Sequence, residues 1–271
     1  MSAEAETRSF LTTFDSNCVN RAFAAQTVGL SNEMFLWGER RALKAFLPQS
    51  KTTIAVTQRK GGVGKTTVAV NIAAELHRRF GNVTLVDADP QRSATRWAEP
   101  GRLPFSVHEQ PISETFEGEW VDAMRRLPFD MMVIDTPPNE RAVGAAVAIS
   151  DVVIIPCTPS GLDIEATEKT LELVRSARAL RKAPLSVLLV PNRIDLRTLE
   201  GQQIEAELET FGEPLAPGIA SRTDFVRAFS LGVSVSEFAR NSLGDRQIRA
   251  LCNAIERQLW IQRVQPKLRQ H

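Results

Sequence analysis

The run Lys60, Gly61, Gly62, Val63, Gly64, Lys65, Thr66, Thr67 follows directly on a β-branched segment, TTIAVT at 52–57, and opens a helix candidate at 65–80. Strand, glycine loop and helix in this order restrict what the chain can fold into and bind. The glycines let the backbone turn tightly, so that consecutive N–H groups from Gly61 to Gly64 point inward at an anion. The helix N-terminus adds the positive end of its dipole. In such a loop Lys65 is expected to reach the β- and γ-phosphates of a nucleotide, and the Thr66 hydroxyl to ligate Mg²⁺. Thr67 is expected to bond the α-phosphate. The bland alternative, a glycine-rich turn that merely packs, does not explain why strand, loop and helix fall in register.

The rest of the chain supplies a scaffold for that loop. Apolar runs of strand length recur at 82–89, 130–137, 150–157 and 184–191, rich in Val and Ile and bounded by turn residues. Continuous rather than alternating apolar strands suit a parallel sheet buried on both faces. Helix candidates lie between them at 117–127, 162–180 and 198–211, and two more, near 222–231 and 245–264, close the chain. Alternation of β and α predicts a doubly wound α/β fold, a mostly parallel sheet flanked by helices, with its ligand at the carboxyl ends of the strands.

Carboxylates stand at those ends. Asp87 and Asp89, in DADPQ, leave the second run two residues apart, and Asp135, in VIDTPP, ends the third. A strand-end aspartate alone is often a turn or cap residue. Three of them behind a phosphate loop point to nucleotide chemistry, with Asp135 in the place of the carboxylate that holds Mg²⁺. Pro191-Asn192-Arg193-Ile194-Asp195 follows the last run. Its NRxD is one substitution from the NKxD that reads guanine, which by itself leaves the base open.

One departure from the ordinary loop is informative. GxxxxGK[ST] requires glycine at position 59, where this chain has Arg59, followed by a second lysine, Lys60. The sequence resembles the deviant Walker A motif, KGGxGKT[ST], of the ParA/MinD family of P-loop ATPases. DADPQ, DTPP and PCTPSGLDIEATEKTLELV resemble that family's switch segments, and the likeness covers nearly all of 51–262. It implies that Lys60 crosses a dimer interface to the partner's nucleotide, that Asp89 orients the attacking water, and that Asp87 assists at the Mg²⁺ and phosphate site. It further implies ATP as the nucleotide, with Asn192 touching adenine, and slow turnover, because dimerisation completes the positioning that phosphoryl transfer needs.

Charge says little in bulk, since 33 basic residues face 32 acidic ones. It is uneven, however: residues 217–271 hold nine basic and four acidic side chains. Resemblance to ParA-type dimers implies salt-dependent, sequence-independent contact with DNA phosphates, for which Arg222, Arg227, Arg240 and Arg246 are the candidates. The segment from Arg222 through Arg227 and Ala228 to Gly232 resembles the family's R-x-x-x-x-R-A-x-x-x-G pattern. A second basic run, Arg175, Arg178, Arg181 and Lys182, has an equally simple reading as a solvated helix end. The resemblance also implies a partner protein, ParB-like or a cargo adaptor, that stimulates hydrolysis.

Competing classes leave different marks. A MinD-like membrane switch would use a C-terminal amphipathic helix, for which Leu251, Ile255 and Leu259 supply a stripe, although such stripes are more often core. An electron-transfer ATPase of the nitrogenase-iron-protein type needs cluster cysteines, and Cys18, Cys157 and Cys252 form no pair. A ligase would need a second-substrate site that nothing here supplies. No apolar run approaches the ~20 residues of a membrane span, and the first residues lack a signal peptide's character. The expectation is a cytoplasmic, nucleoid-associated ATPase domain over 51–271, with an extension over 1–50 that holds one helix, Ser31 to Leu47, capped by Ser31 and stopped by Pro48.

Overall fold

The computed structural model describes residues 51–112 and 117–263. The expected helix at 31–47, Cys18, Lys267 and Arg269 lie outside them. Six strands form one sheet: β1 (Thr52–Val56), β2 (Val83–Asp87), β3 (Ser106–Glu109), β4 (Met131–Asp135), β5 (Val152–Cys157) and β6 (Ser186–Pro191), in the spatial order β3-β2-β4-β1-β5-β6. Every pairing is parallel. The apolar runs form strands because both of their faces are covered. Ile54 and Val56 face one core and Ala55 the other, as the two-residue period of a strand requires.

Helices α1 (Lys65–Phe80), α2 (Ser93–Ala98), α7 (Thr223–Leu231), α8 (Val235–Phe238) and α9 (Leu243–Arg263) close one face of the sheet. Helices α3 (Glu117–Arg126), α4 (Glu140–Ile149), α5 (Gly161–Leu180) and α6 (Leu199–Glu209) close the other. The chain moves leftward from β1 through β2 to β3, returns to insert β4 beside β1, and then continues rightward. The direction of winding therefore reverses between β1 and β4, and the crevice outside their carboxyl ends is where such a sheet binds ligands. The register Val56↔Asp135 and Asp87↔Asp135 sets the ends of β1, β4 and β2 side by side there.

All five expected strands and the six helices expected after residue 51 are present within a few residues of their anticipated bounds. Four elements went unanticipated. The edge strand β3 is four residues long and has no buried position, so it carries no apolar run. Helices α2 and α8, of six and four residues, are too short for periodicity to show. Helix α4 reads as ERAVGAAVAI, small apolar residues without a clear period. Its local signal is Asn139, whose side chain accepts from the Ala142 N–H as an N-cap.

The stripe Leu251, Ile255 and Leu259 on α9 is fully buried and packs with α1 residues in the core. The amphipathic helix that a membrane switch would need is here a core helix. No helix among the described residues is long and apolar enough to cross a membrane. Cys157 and Cys252 are buried in opposite cores, and burial pushes the Cys157 thiol up to about 11. Neither has the exposure that a cluster shared between subunits would need.

Candidate nucleotide site

Between β1 and α1 the chain turns on two left-handed glycines, Gly62 (φ 81°) and Gly64 (φ 91°). Gly64 takes the N-cap position of α1 with no side-chain cap, which leaves the first N–H groups of the helix for a ligand. A methyl group at Gly64 would lie 2.5 Å from the Asn192 amide nitrogen, so the absence of a side chain is a packing requirement as well as a conformational one. That amide donates to the Val63 carbonyl at 2.7 Å, and the Asn192 N–H donates to the Cys157 carbonyl at 2.8 Å. Asn192, expected at the base, is thus also a strut beneath the loop.

Lys65 is 7% exposed and its ammonium donates to the Lys60 carbonyl at 3.0 Å, folding the loop over itself. Burial draws it below the usual lysine range, against the pull of Asp135 and Asp89. Asp135, at the end of β4, is fully buried, and neither of its carboxylate oxygens accepts a hydrogen bond. Desolvation raises its pKa to about 7; the Thr66 hydroxyl and Lys65 oppose the shift, while Asp87 and Asp89 add to it. Buried carboxylates of folded proteins are ordinarily satisfied. An orphaned one near a lysine, a threonine hydroxyl and two further aspartates fits a cation, and a hydroxyl and a carboxylate of this kind could hold Mg²⁺.

The remaining aspartates differ. Oδ2 of Asp87 accepts from both the N–H (2.7 Å) and the hydroxyl (2.8 Å) of Thr95, and Oδ1 accepts from the Asp89 N–H at 3.2 Å. Asp87 therefore anchors the first turn of α2 to the end of β2. Asp89 is half-buried and accepts from the Gln91 N–H at 2.8 Å, in the turn that leads to α2. The second switch segment is tied to the loop through Thr136, whose hydroxyl contacts the Val56 carbonyl at 3.2 Å and the Thr57 hydroxyl at 2.9 Å.

Lys60 does not extend freely from the loop. Its ammonium pairs with Asp163 near the start of α5, a carboxylate 4% exposed that also accepts from the Thr158 hydroxyl. Arg59 pairs with Glu140 at the start of α4. The two side chains that set this loop apart are therefore each held by the helix following a neighbouring strand. At the NRxD segment, Arg197 chelates Asp195 through Nε (2.9 and 3.2 Å) and Nη2 (2.6 Å), and its N–H adds a bond of 3.0 Å. This holds the Asp195 carboxyl down at about 2, and engages the carboxylate that a guanine reader would present.

Sequence reasoning brought Lys60, Lys65, Thr66, Asp87, Asp89, Asp135 and Asn192 to one place, and the fold sets them around the carboxyl ends of adjacent strands. It missed Gln58, Thr95, Asp163, Thr167 and Thr170, which hold that place together. Of the basic candidates, Arg222, Arg227 and Arg240 are exposed and have no acidic partner among the described residues, and Arg246 donates to the Asn241 carbonyl at 2.6 Å. In the second basic run, Arg178 pairs with Glu213 at 2.9 Å and Arg175 donates to the Phe211 carbonyl at 2.6 Å. The solvated-helix-end reading is the one the structure favours there.

A parallel sheet wound in this order, a glycine loop opening a helix, and an unsatisfied buried aspartate on the adjacent strand define a P-loop nucleotide-binding domain. The sequence profile of the CobQ/CobB/MinD/ParA nucleotide binding domain matches residues 54–235, and the chain belongs to that family. It is 32% identical over 215 residues to maintenance of carboxysome distribution protein A of Halothiobacillus neapolitanus, covering 75% of this chain and 95% of the relative. With the chromosome-partitioning ATPase Soj of Thermus thermophilus it shares 30% identity over 236 residues, 74% of this chain and 94% of that one. Among solved structures, cobyrinic acid a,c-diamide synthase of Mycobacterium smegmatis with an ATP analogue and magnesium has the same fold. Its TM-score is 0.63 at 22% identity, over 78% of this chain and 96% of that one.

Proposed function

We propose that this chain is an ATP-driven dimerisation switch of the ParA type, which binds nonspecific DNA in its ATP-loaded form and distributes a plasmid, a chromosome or a protein assembly. The observation that carries the reading is the orphaned Asp135 carboxylate beside Lys65 and Thr66, joined to a second loop lysine that one triphosphate in one subunit does not need. Thr66 and Asp135 would hold Mg²⁺, which neutralises charge developing on the transferred phosphoryl group. Lys65 binds the β- and γ-phosphates, the loop N–H groups from Gly61 to Thr67 cradle the chain of phosphates, and Asp89 orients the attacking water. Adenine over guanine is supported by the engaged Asp195 and by the name of one relative, an ATPase.

Lys60 supplies the switch. In the single chain it rests on Asp163, with the ammonium partly exposed and the carboxylate buried. A second subunit's triphosphate offers more negative charge, so dimerisation exchanges one ion pair for a stronger one. Only a ligand that favours the closed dimer can shift that equilibrium, and a difference of a few kcal/mol suffices. The closed dimer would then join two sets of arginines, Arg222, Arg227 and Arg240, which have no acidic partner among the described residues, with Arg246 beside them, into one cationic surface for DNA backbone. A partner protein that stimulates hydrolysis would reopen it. The cellular place of such a switch is the nucleoid.

Two variants test the arrangement. Lys65→Ala should lose binding of a fluorescent ATP analogue. Lys60→Ala should keep that binding but fail to dimerise in ATP and Mg²⁺, as read by sedimentation velocity. A Lys60→Ala protein that dimerises like the wild type would contradict the switch, and a Lys65→Ala protein that binds nucleotide tightly would remove the site itself.

A further inference from the structure

The buried face of α5 carries a polar stripe where a core helix normally presents apolar residues. Asp163, Thr167 and Thr170 follow one another at positions i, i+4 and i+7, and Thr167 and Thr170 are fully buried. Opposite the stripe is Gln58, also fully buried, the residue through which β1 passes into the phosphate loop. Its Nε2 donates to the Thr167 hydroxyl at 2.9 Å, and its Oε1 accepts from the Thr170 hydroxyl at 2.6 Å and from the Arg59 N–H at 2.9 Å. The Arg59 N–H also approaches the Thr170 hydroxyl at 3.3 Å. Thr167 in turn donates to the Asp163 carbonyl at 2.8 Å. The side chain of Asp163, the first member of the stripe, holds Lys60.

Such a network is expensive to bury unless every member is satisfied, and apolar residues would fill the same volume. Its geometry therefore calls for a role beyond packing. None of its members lies among the loop N–H groups, Lys65, Thr66 or Asp135, which would meet nucleotide and Mg²⁺. Every one of them bears on the backbone immediately before Lys60 or on the backbone of Asp163, the residue that Lys60 rests against.

We propose that Gln58, Thr167 and Thr170 are positioning residues for Lys60: they register the entry of the phosphate loop against α5, so that the Lys60 ammonium stands where a second subunit can receive it. This rests on the dimer reading given above. Gln58 and Thr170 hold the Arg59 N–H, one residue before Lys60, and Thr167 holds the Asp163 carbonyl, which is the kind of positioning that a charge acting across an interface demands, while the ammonium itself remains free to exchange Asp163 for phosphate.

The test replaces the network as a unit. In the triple variant Gln58→Leu/Thr167→Val/Thr170→Val the polar side chains leave together, which keeps the volume close to the original and leaves the part-buried Arg59 N–H without these two acceptors. A single Gln58→Leu variant, in which both hydroxyls keep their own helix carbonyls, guards against failure of the triple variant to fold. Fluorescent ATP-analogue binding and ATP-dependent self-association are measured side by side on wild type, Lys60→Ala and the two variants. The expected result is nucleotide affinity within threefold of wild type, with self-association weakened at least tenfold. Association equal to wild type, or nucleotide affinity falling in step with it, would overturn the positioning role and leave general support of the loop. A wild-type protein that does not associate in ATP would instead remove the dimer reading, and this inference with it.

Discussion

The decisive residue is Asp135. A carboxylate without a hydrogen bond in a fully buried position costs folding free energy, a cost that the proposed Mg²⁺ would offset. Its raised pKa makes this measurable without any assay of function. The unfolded chain releases the proton near pH 4 and the folded protein holds it to about pH 7, so between those values the folded state binds more protons and stability falls as pH rises. The slope for one such group is about 1.4 kcal/mol per pH unit, levelling above pH 7. Relative to Asp135→Asn, ligand-free wild-type protein should therefore lose denaturant stability from pH 5 to 7, and Mg²⁺ with ATP should restore much of it. Parallel pH profiles for the two proteins would contradict the assignment of Asp135 as the orphaned charge.

At the scale of elements, the short helix α2 links the site to the opposite end of its layer. Asp87 clamps the first turn through Thr95. The Trp97 indole donates to the Val233 carbonyl at 3.0 Å and stands edge-on to Phe229 of α7, with ring centroids 5.2 Å apart. Pro100 then packs against Gly232, the left-handed C-cap of α7 (φ 67°), so closely that a Cβ there would meet three proline carbons at 2.5–2.9 Å. Gly232→Ala should cost about 2 kcal/mol, from a strained backbone and an overpacked contact together, and should lower the urea midpoint. An unchanged midpoint would mean that the junction between α2 and α7 is looser than its geometry.

These elements also show what could be read in the sequence. Strands β1, β2, β4, β5 and β6 and the long helices were legible because burial on both faces, or along one stripe, leaves an apolar record in the residues. The loop and the strand-end aspartates were legible because phosphate and Mg²⁺ chemistry demand those residue types at those spacings. Thr95, Gln58, Thr167 and Thr170 were not, since they act on one another across large separations in the chain and nothing local distinguishes them from any other polar residue. Asp163 was visible only as part of a resembling segment. The stripe on α9 was legible as a stripe, but whether it met lipid or core depended on α1 packing against it.

For the molecule as a whole, the account is of a domain whose two faces differ in charge availability. On the α5 side, Arg175 and Arg178 are neutralised by Glu213 and nearby carbonyls. On the α7–α9 side, Arg222, Arg227 and Arg240 remain exposed without acidic partners among the described residues. In the proposed function such a surface would gain affinity for DNA by displacing counterions, and a dimer would present twice as many charges as a monomer. The most direct measurement uses the Asp89→Ala protein, in which loss of water positioning should hold the ATP-loaded dimer. It would be sedimented in ATP and Mg²⁺ with a random-sequence DNA duplex, and in parallel with anionic liposomes, over a range of salt. The expected result is DNA binding that requires ATP, is lost in the Lys60→Ala background and weakens steeply as salt rises, with no liposome binding. DNA binding indifferent to ATP, or binding to liposomes instead, would contradict it.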